Sequence, residues 1–456
     1  MALNEQPHPL LIEVEAFLNA WVKPGQRVCV GLSGGVDSTV LLYLLHALSS
    51  KWRFTLSAIH VNHQLSPHAS QWATWNERLC GPLGIALQVV KVKVQAGNSL
   101  ESAAREARYA VYQECETDFV ALAHNQDDQV ETFGLRLLRG AGVRGLAAMS
   151  AVRAHQSVTI LRPLLRVSRQ RIERYARDFS IEWVEDESNT NTHYLRNFLR
   201  QAVLPLVAKR VPGYRQTIER AASHLSDASQ FMDEVAEEDM AGALKGGALC
   251  VATLERLSRV RATNLLRFYL SSCDLPALDQ SALDELLRQL LTAKEGAQLK
   301  VVLARHVLYR FRGALYVVVR SERQATDWQL DWQAETTLTV PALQGVLTMR
   351  ASVGEGIDWQ RLTGERVLIG GRRIGGGLRP DGARPRRALK QLFQELAIAP
   401  WLRERLPFLY CGDQLVWVPG LGIELAFQAR PNEPSVVPQW QGEAVQVMPR
   451  QPRLHP

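Results

Sequence analysis

The stretch RVCVGLSGGVDSTVLLYLLHAL, residues 27–48, decides the fold. A β-branched apolar run passes through SGGVDS, Ser33 to Ser38, straight into a run with helical character. Strand, glycine pair and helix start in that order make a phosphate cradle. Gly34 and Gly35 let the backbone approach an anion, and the helix amino end offers unpaired N–H groups at a positive dipole end. Ser33 and Ser38 add hydroxyl donors. Asp37 beside a polyphosphate would be repelled unless a cation lay between them, which points to Mg2+ with Asp37 as its ligand. A turn whose Asp and Ser merely cap the helix is the plainer alternative. The chain has no GK dipeptide, so the Walker loop is absent and a P-loop hydrolase is disfavoured.

Outward from this turn, the first 210 residues alternate strand-like runs with helical stretches. FTLSAIHV (54–61), ALQVVKVKV (86–94) and FVALAH (119–124) follow the first strand, with helices expected over about 38–50, 69–80, 99–117 and 127–139. Such alternation predicts an α/β class with a doubly wound parallel sheet, whose ligands bind beyond the carboxyl ends of the strands. From about 213 the pattern turns helical, with Leu283, Leu286, Leu287 and Leu290 on one face. Two strand-like runs, LKVVLARHVLYRF and ALYVVV, then meet at a turn at Arg312 and Gly313. Beyond about 330 come β-rich runs, one helix (ALKQLFQELA, 388–397) and QLVWVPG. The expected division is 1–212 catalytic, 213–330 mainly helical and 331–456 basic α+β.

The 456 residues suit roughly three domains, and 46% hydrophobic with 22% charged residues is a globular balance. No run reaches a membrane span, and the amino end lacks signal-peptide features, so a cytoplasmic protein with no membrane association is expected. Six cysteines without a CxxC pair read as reduced core thiols. The net charge of +7 is concentrated: residues 361–406 hold eleven Lys plus Arg against four Asp plus Glu, and 188–218 hold five against none. Separated basic patches suit a large polyanion such as RNA.

Several residues carry candidate chemistry. Asp127, Asp128 and Glu131 follow the fourth strand at spacings that put Glu131 on the face of both aspartates. They are either a catalytic set or acids favoured in a first helical turn. Arg105 and Arg108, three apart, suit a phosphate or a carboxylate, or else pair with Glu101 and Glu106. Arg196 and Arg200, with Asn197 alongside, suit ATP or tRNA phosphates, or form a charged surface. Arg384, Arg386, Arg387 and Lys390, with Phe393 and Trp401, suit an RNA-stem grip, with a core role for Trp401 as the alternative. His60, Asn62 and His63 lack the companions of a metal site. GAGVRG (Gly140, Gly142, Gly145) matches GxGxxG but follows a helix, so it reads as a helix exit and not an NAD site.

SGGVDS after the first strand resembles the PP-loop family of ATP pyrophosphatases, which split ATP between its α and β phosphates and transfer AMP to an oxygen. HVNHQLSPHA (60–69), ESAAREARYAVY (101–112), AHNQDDQVETFGLRLLRGAG (123–142), RPLL (162–165), EDESNTNTHYLRNFLR (185–200) and ALKQLFQELAIAPWLRERLPFLY (388–410) are similar to the successive motifs of the tRNA(Ile)-lysidine synthetase family. That family attaches free lysine to C2 of the cytidine at the first anticodon position of tRNA(Ile), using ATP, which changes decoding from AUG to AUA. The resemblance implies a CAU-anticodon tRNA(Ile) and L-lysine as partners, with ATP and Mg2+. It assigns Ser33, Gly34, Gly35, Val36, Asp37, Ser38, His60 and His124 to ATP, and Asp128 and Glu131 to lysine. With the readings above, Asp37, Asp128, Glu131, Arg105 and Arg108 are the candidate catalytic residues. Arg196, Arg200, Arg384, Arg386, Arg387 and Lys390 are, from their charge, the candidate tRNA contacts. Where relatives often carry two adjacent histidines, this chain has His124 and then Asn125. A PP-loop tRNA sulfur transferase is the rival of the same class, and a non-catalytic RNA-binding protein the rival of another. A homodimer is left open.

Overall fold

The protein is described from a computed structural model covering residues 7–93, 100–155, 157–185, 195–293, 299–319, 328–373, 376–442 and 447–448. The chain divides into two compact units, Met1–Phe231 and Met232–Pro456. In chain order the first contains α1 (Pro9–Trp21), β1 (Arg27–Gly31), α2 (Val36–Trp52), β2 (Thr55–Asn62), α3 (Ala69–Cys80) and β3 (Ala86–Lys91). There follow α4 (Leu100–Gln113), β4 (Phe119–Ala121), α5 (Gln126–Leu138), α6 (Val143–Leu146), β5 (Val152–His155), β6 (Val158–Leu161) and α7 (Arg169–Asp178). After α8 (Leu195–Phe198) and one π turn (Leu199–Val203) come α9 (Leu204–Arg210) and α10 (Tyr214–Met240), within which the unit boundary falls.

The sheet has the order β3-β2-β1-β4-β6-β5. Its strands run parallel except β5, which pairs antiparallel with β6. Val28 and Val30 of β1 join the core built with α1, α2 and α7, whereas Cys29 between them joins the opposite layer with Tyr109 and Tyr112 of α4. This two-residue alternation is that of a sheet covered on both faces. Helix α2 is the central packing element: Val40, Leu41, Leu42, Leu44 and Leu45 are fully buried. Each such side chain contributes about 1.5–3 kcal/mol through burial. Strand order reverses between β1 and β4, so the carboxyl ends of these two strands flank the crevice where doubly wound sheets bind ligands.

The four strands and four helices expected around the cradle are present, which establishes the doubly wound α/β class. Helix α1 and the β5–β6 hairpin were not anticipated; the hairpin's strands are four residues long and VRAHQS offers no Gly, Asn or Pro turn signal.

In the second unit, β7 (Leu244–Lys245), β8 (Ala248–Cys250), β9 (Leu299–Leu303), β10 (His306–Phe311) and β11 (Ala314–Val319) form an antiparallel sheet ordered β7-β8-β11-β10-β9. The run LKVVLARHVLYRF is therefore not one strand, because it folds back at Ala304, whose φ of 50° carries a turn without glycine. Arg312 and Gly313 turn as expected, with φ of 48° and 70°, the primed geometry that matches strand twist. Leu283, Leu286, Leu287 and Leu290 all face the core of this part. Two further antiparallel sheets, of five and four strands, and a two-stranded one lie in the same unit. No helix among the described residues is long and apolar enough to cross a membrane.

Candidate active site

The loop after β1 is closed on itself before any ligand arrives. The Ser38 hydroxyl donates to the Gly35 carbonyl at 3.0 Å and so must accept from the Ser33 hydroxyl, also at 3.0 Å, and from the Ser33 N–H at 3.2 Å. The two serines thus brace the turn. Their hydroxyls are engaged within the turn, and the first turn of α2 presents the N–H groups of Val36, Asp37 and Ser38. Gly34 has φ +94°, and a Cβ there would lie 2.7 Å from Val184 Cγ2, so both conformation and space demand glycine.

Asp37 is linked to the end of β4 through Asn125. The Asn125 amide donates to Asp37 Oδ1 at 3.0 Å while its Oδ1 accepts from the Asp128 N–H, and Asp128 returns the bond from the Asn125 N–H at 3.1 Å. This reciprocal capping box starts α5. Asn125 thereby binds the phosphate loop to the acidic helix. Burial raises the Asp37 carboxyl to about 6, against the pull of Arg169, whose guanidinium lies 3.7 Å away. The Asp128 charge adds to the rise. One carboxylate at a phosphate loop, with a second electrostatically near it, suits Mg2+, which takes one or two carboxylates and completes its shell with phosphate oxygens and water.

The acids of α5 are not open. Glu131, 1% exposed, accepts from Arg196 at 2.8 Å and from Arg200 at 2.5 and 2.9 Å, and Asp128 accepts from Arg196 at 2.7 Å. Residues assigned separately to lysine and to tRNA therefore meet each other, a correction to Arg196 and Arg200 as outward phosphate contacts. Paired guanidiniums offset the cost of burying Glu131. Asp127 accepts from Arg215 at 2.6 Å and from the Arg169 N–H at 2.9 Å. A cavity of about 270 Å³ opens beside this network, lined by Glu131, Asp127 and Arg200 and by the apolar Leu204, Pro205 and Ala208. Residues 186–194 of the motif that contains Arg196 lie outside the described residues.

At the end of β2, the His60 Nδ1 is 2.9 Å from the Leu32 carbonyl and 3.0 Å from the side-chain amide of fully buried Asn76, whose Oδ1 would lie 3.3 Å from a Cβ on Gly34. His60 thus braces the loop from beneath, and burial holds it below its ordinary value. His63 is held down at about 4 by burial, with the Arg108 charge next. Arg105 donates to the Tyr109 hydroxyl at 3.2 Å and Arg108 to His63 at 3.4 Å. Of their alternative partners, Glu101 has its side chain outside the described residues. Arg162, 2% exposed, donates to His124 Nδ1 at 3.1 Å.

Asn76, Arg162, Arg169 and Arg215 were missed by sequence reasoning. Only Arg162 carried a signal, the RPLL motif, because the others gain meaning only from what the fold brings to them.

In the second unit, Arg384 pairs with Asp381, Arg386 donates to the Gly377 carbonyl at 3.0 Å, Arg387 pairs with Glu395, and Lys390 is exposed. Phe393 is fully buried, and Trp401, 7% exposed, packs on Tyr309, Phe311 and Tyr316 with ring centroids 4.7–5.8 Å apart. Both aromatics are core. For Trp401 this is the core alternative; for Phe393 it corrects the reading as part of an RNA-stem grip.

Comparison with known proteins places these features in a family. A PP-loop domain matches residues 8–207, a TilS substrate binding domain 249–316 and a TilS substrate C-terminal domain 367–440. The tRNA(Ile)-lysidine synthase of Nitrosomonas europaea is 41% identical over 428 residues, 93% of each chain. That of an Azoarcus species is 38% identical over 430 residues, 93% of this chain and 94% of its own. That of Coxiella burnetii is 34% identical over 413 residues, 89% of this chain and 91% of its own. With a phosphate loop at the switch point of its sheet and relatives of this identity over nearly its whole length, the chain belongs to the tRNA(Ile)-lysidine synthase family.

Proposed function

We propose that the protein is the ligase that adenylates C2 of the cytidine at the first anticodon position of tRNA(Ile) and then attaches lysine there, releasing pyrophosphate and AMP. The observation that carries this reading is the bonded chain Asp37–Asn125–Asp128, which joins the phosphate loop to the acidic helix. It brings a site for a nucleotide anhydride next to one for an amine.

In the first step the cytosine O2 attacks the α-phosphorus and pyrophosphate departs. The cradle N–H groups of Val36, Asp37 and Ser38 stabilise the growing phosphoryl charge. Bound Mg2+ would be held by Asp37 and would supply charge neutralisation at the phosphates. In the second step the lysine ε-amine attacks C2, AMP leaves, and the amine loses a proton. With an ordinary pKa of 10.4, only about one part in 10³ of the amine is free base at pH 7, so a carboxylate must orient it and take that proton. Glu131 and Asp128 are the groups for this, with the lysine stem against Leu204, Pro205 and Ala208. Since Arg196 and Arg200 hold both acids, lysine enters by sharing or displacing a guanidinium.

The divisions 1–212, 213–330 and 331–456 serve catalysis, tRNA contact and tRNA binding, with Arg384, Arg386, Arg387 and Lys390 on tRNA phosphates in the cytoplasm. Incubation with ATP, labelled lysine and a panel of tRNA transcripts tests the whole reading. Label should enter only the CAU-anticodon tRNA(Ile), with stoichiometric AMP and pyrophosphate. Label that persists when the anticodon cytidine is replaced would overturn it.

A further inference from the structure

Arg162 follows β6 and is almost wholly buried, yet none of the groups it donates to is a carboxylate. Its guanidinium donates to His124 Nδ1 at 3.1 Å, to the Ser150 carbonyl at 2.7 Å and to the Tyr109 hydroxyl at 3.1 Å. It therefore connects the end of β4, the turn before β5 and helix α4 at one point. Arginine has only donors, so the nitrogen it faces on His124 must be an acceptor. A neutral imidazole whose Nδ1 accepts carries its proton on Nε2. The chemistry of the pair, not the choice of a tautomer, dictates this. No hydrogen bond to His124 Nε2 is seen among the described residues, and the residue, just beyond the carboxyl end of β4, is half-buried.

We propose that Arg162 is a positioning residue that fixes His124 as a neutral imidazole with its proton on Nε2, making His124 a hydrogen-bond donor to an α-phosphoryl oxygen and not a base. This rests on the ATP site proposed above. The charged groups that weigh most on His124 are guanidiniums: Arg162 after β6, Arg105 and Arg108 on α4, and Arg196 on α8. Burial acts in the same direction, and the imidazole is held well below its ordinary value. A neutral donor suits a site where a phosphoryl charge grows, because it gives a directed hydrogen bond whose strength does not vary with pH across the working range.

Nitrogen-15 NMR of the nucleotide-free protein tests the tautomer without activity. His124 should show an unprotonated Nδ1, a protonated Nε2 and no titration between pH 5 and 8; a protonated Nδ1 or titration near 6.5 overturns the proposal. Kinetics test its use. Arg162→Met should lower the pyrophosphate-release rate about tenfold at pH 8, since ring orientation and proton position are then left to solvent. That loss should shrink at low pH, where the ring, relieved of the Arg162 charge, takes a second proton and carries one on each nitrogen. Arg162→Lys, which still donates to Nδ1, should keep the pH profile flat. A deficit in Arg162→Met that is the same at every pH marks a purely structural role and also overturns the proposal. If the ATP site itself is misplaced, wild-type protein releases no pyrophosphate while the NMR result still stands.

Discussion

At the scale of single residues, Asp37 couples stability to pH. Its folded value of about 6 lies above the ordinary 3.8, so the folded state holds its proton more tightly than the unfolded chain does. The resulting stabilisation is complete below pH 3.8 and lost as pH rises through 6, about 3 kcal/mol in all. Asp37→Asn should therefore be more stable than wild type at pH 8 in chemical denaturation without metal or nucleotide, with the difference vanishing near pH 4. The same variant should form no adenylate in a single turnover. An offset that stays constant over pH 4–8 would contradict the assignment. Glu131 differs, because its charge is already compensated. Glu131→Gln leaves two guanidiniums facing a neutral amide and should cost about 3 kcal/mol of stability. Its adenylation rate should fall less than its lysine-transfer rate, measured on trapped adenylated tRNA, and equal slowing of the two steps would refute the division of labour.

At the scale of elements, helix starts do the work. Helix α2 begins directly after the Gly34–Gly35 turn, and α5 begins with a capping box whose Asn125 also bonds Asp37. Asn125→Ala should cost about 1 kcal/mol for the lost cap. Because the Asn125 amide holds the Asp37 carboxyl down, its removal should also push that carboxyl above about 6. A pH titration of Asp37 by carbon-13 NMR in both proteins reads the second effect, and an unchanged midpoint would show that Asn125 only caps. The sequence made both helix starts legible through glycines and Asn/Asp placement. It did not disclose that one cap serves two elements, because Asp37 and Asn125 are 88 residues apart and only the parallel pairing of β1 with β4 brings them together.

At the scale of the whole molecule, the basic residues of the 384–390 window and the aromatics Phe393 and Trp401 separate into surface and core. Arg386→Ala with Arg387→Ala should weaken tRNA binding and reduce the slope of log affinity against log salt by about one for each phosphate no longer neutralised, with ATP affinity intact. A dissociation constant that stays the same across salt would defeat this. Trp401→Ala should instead destabilise the second unit by about 3–5 kcal/mol in denaturation, since the indole fills a cluster with Tyr309, Phe311 and Tyr316. Loss of tRNA affinity in a fully stable Trp401→Ala protein would restore the stacking role.

By itself the sequence determined the doubly wound sheet, the phosphate turn after β1 and the acids at the start of α5, since these are signals of period, glycine placement and capping within a few residues. Tertiary structure alone decided which charges cancel and which aromatics are covered. Glu131 meets Arg196 and Arg200 from 65 and 69 residues away, and Ser33 and Ser38 satisfy each other. A side chain's type is written in the chain, but its partners and its share of solvent are set only when distant segments pack.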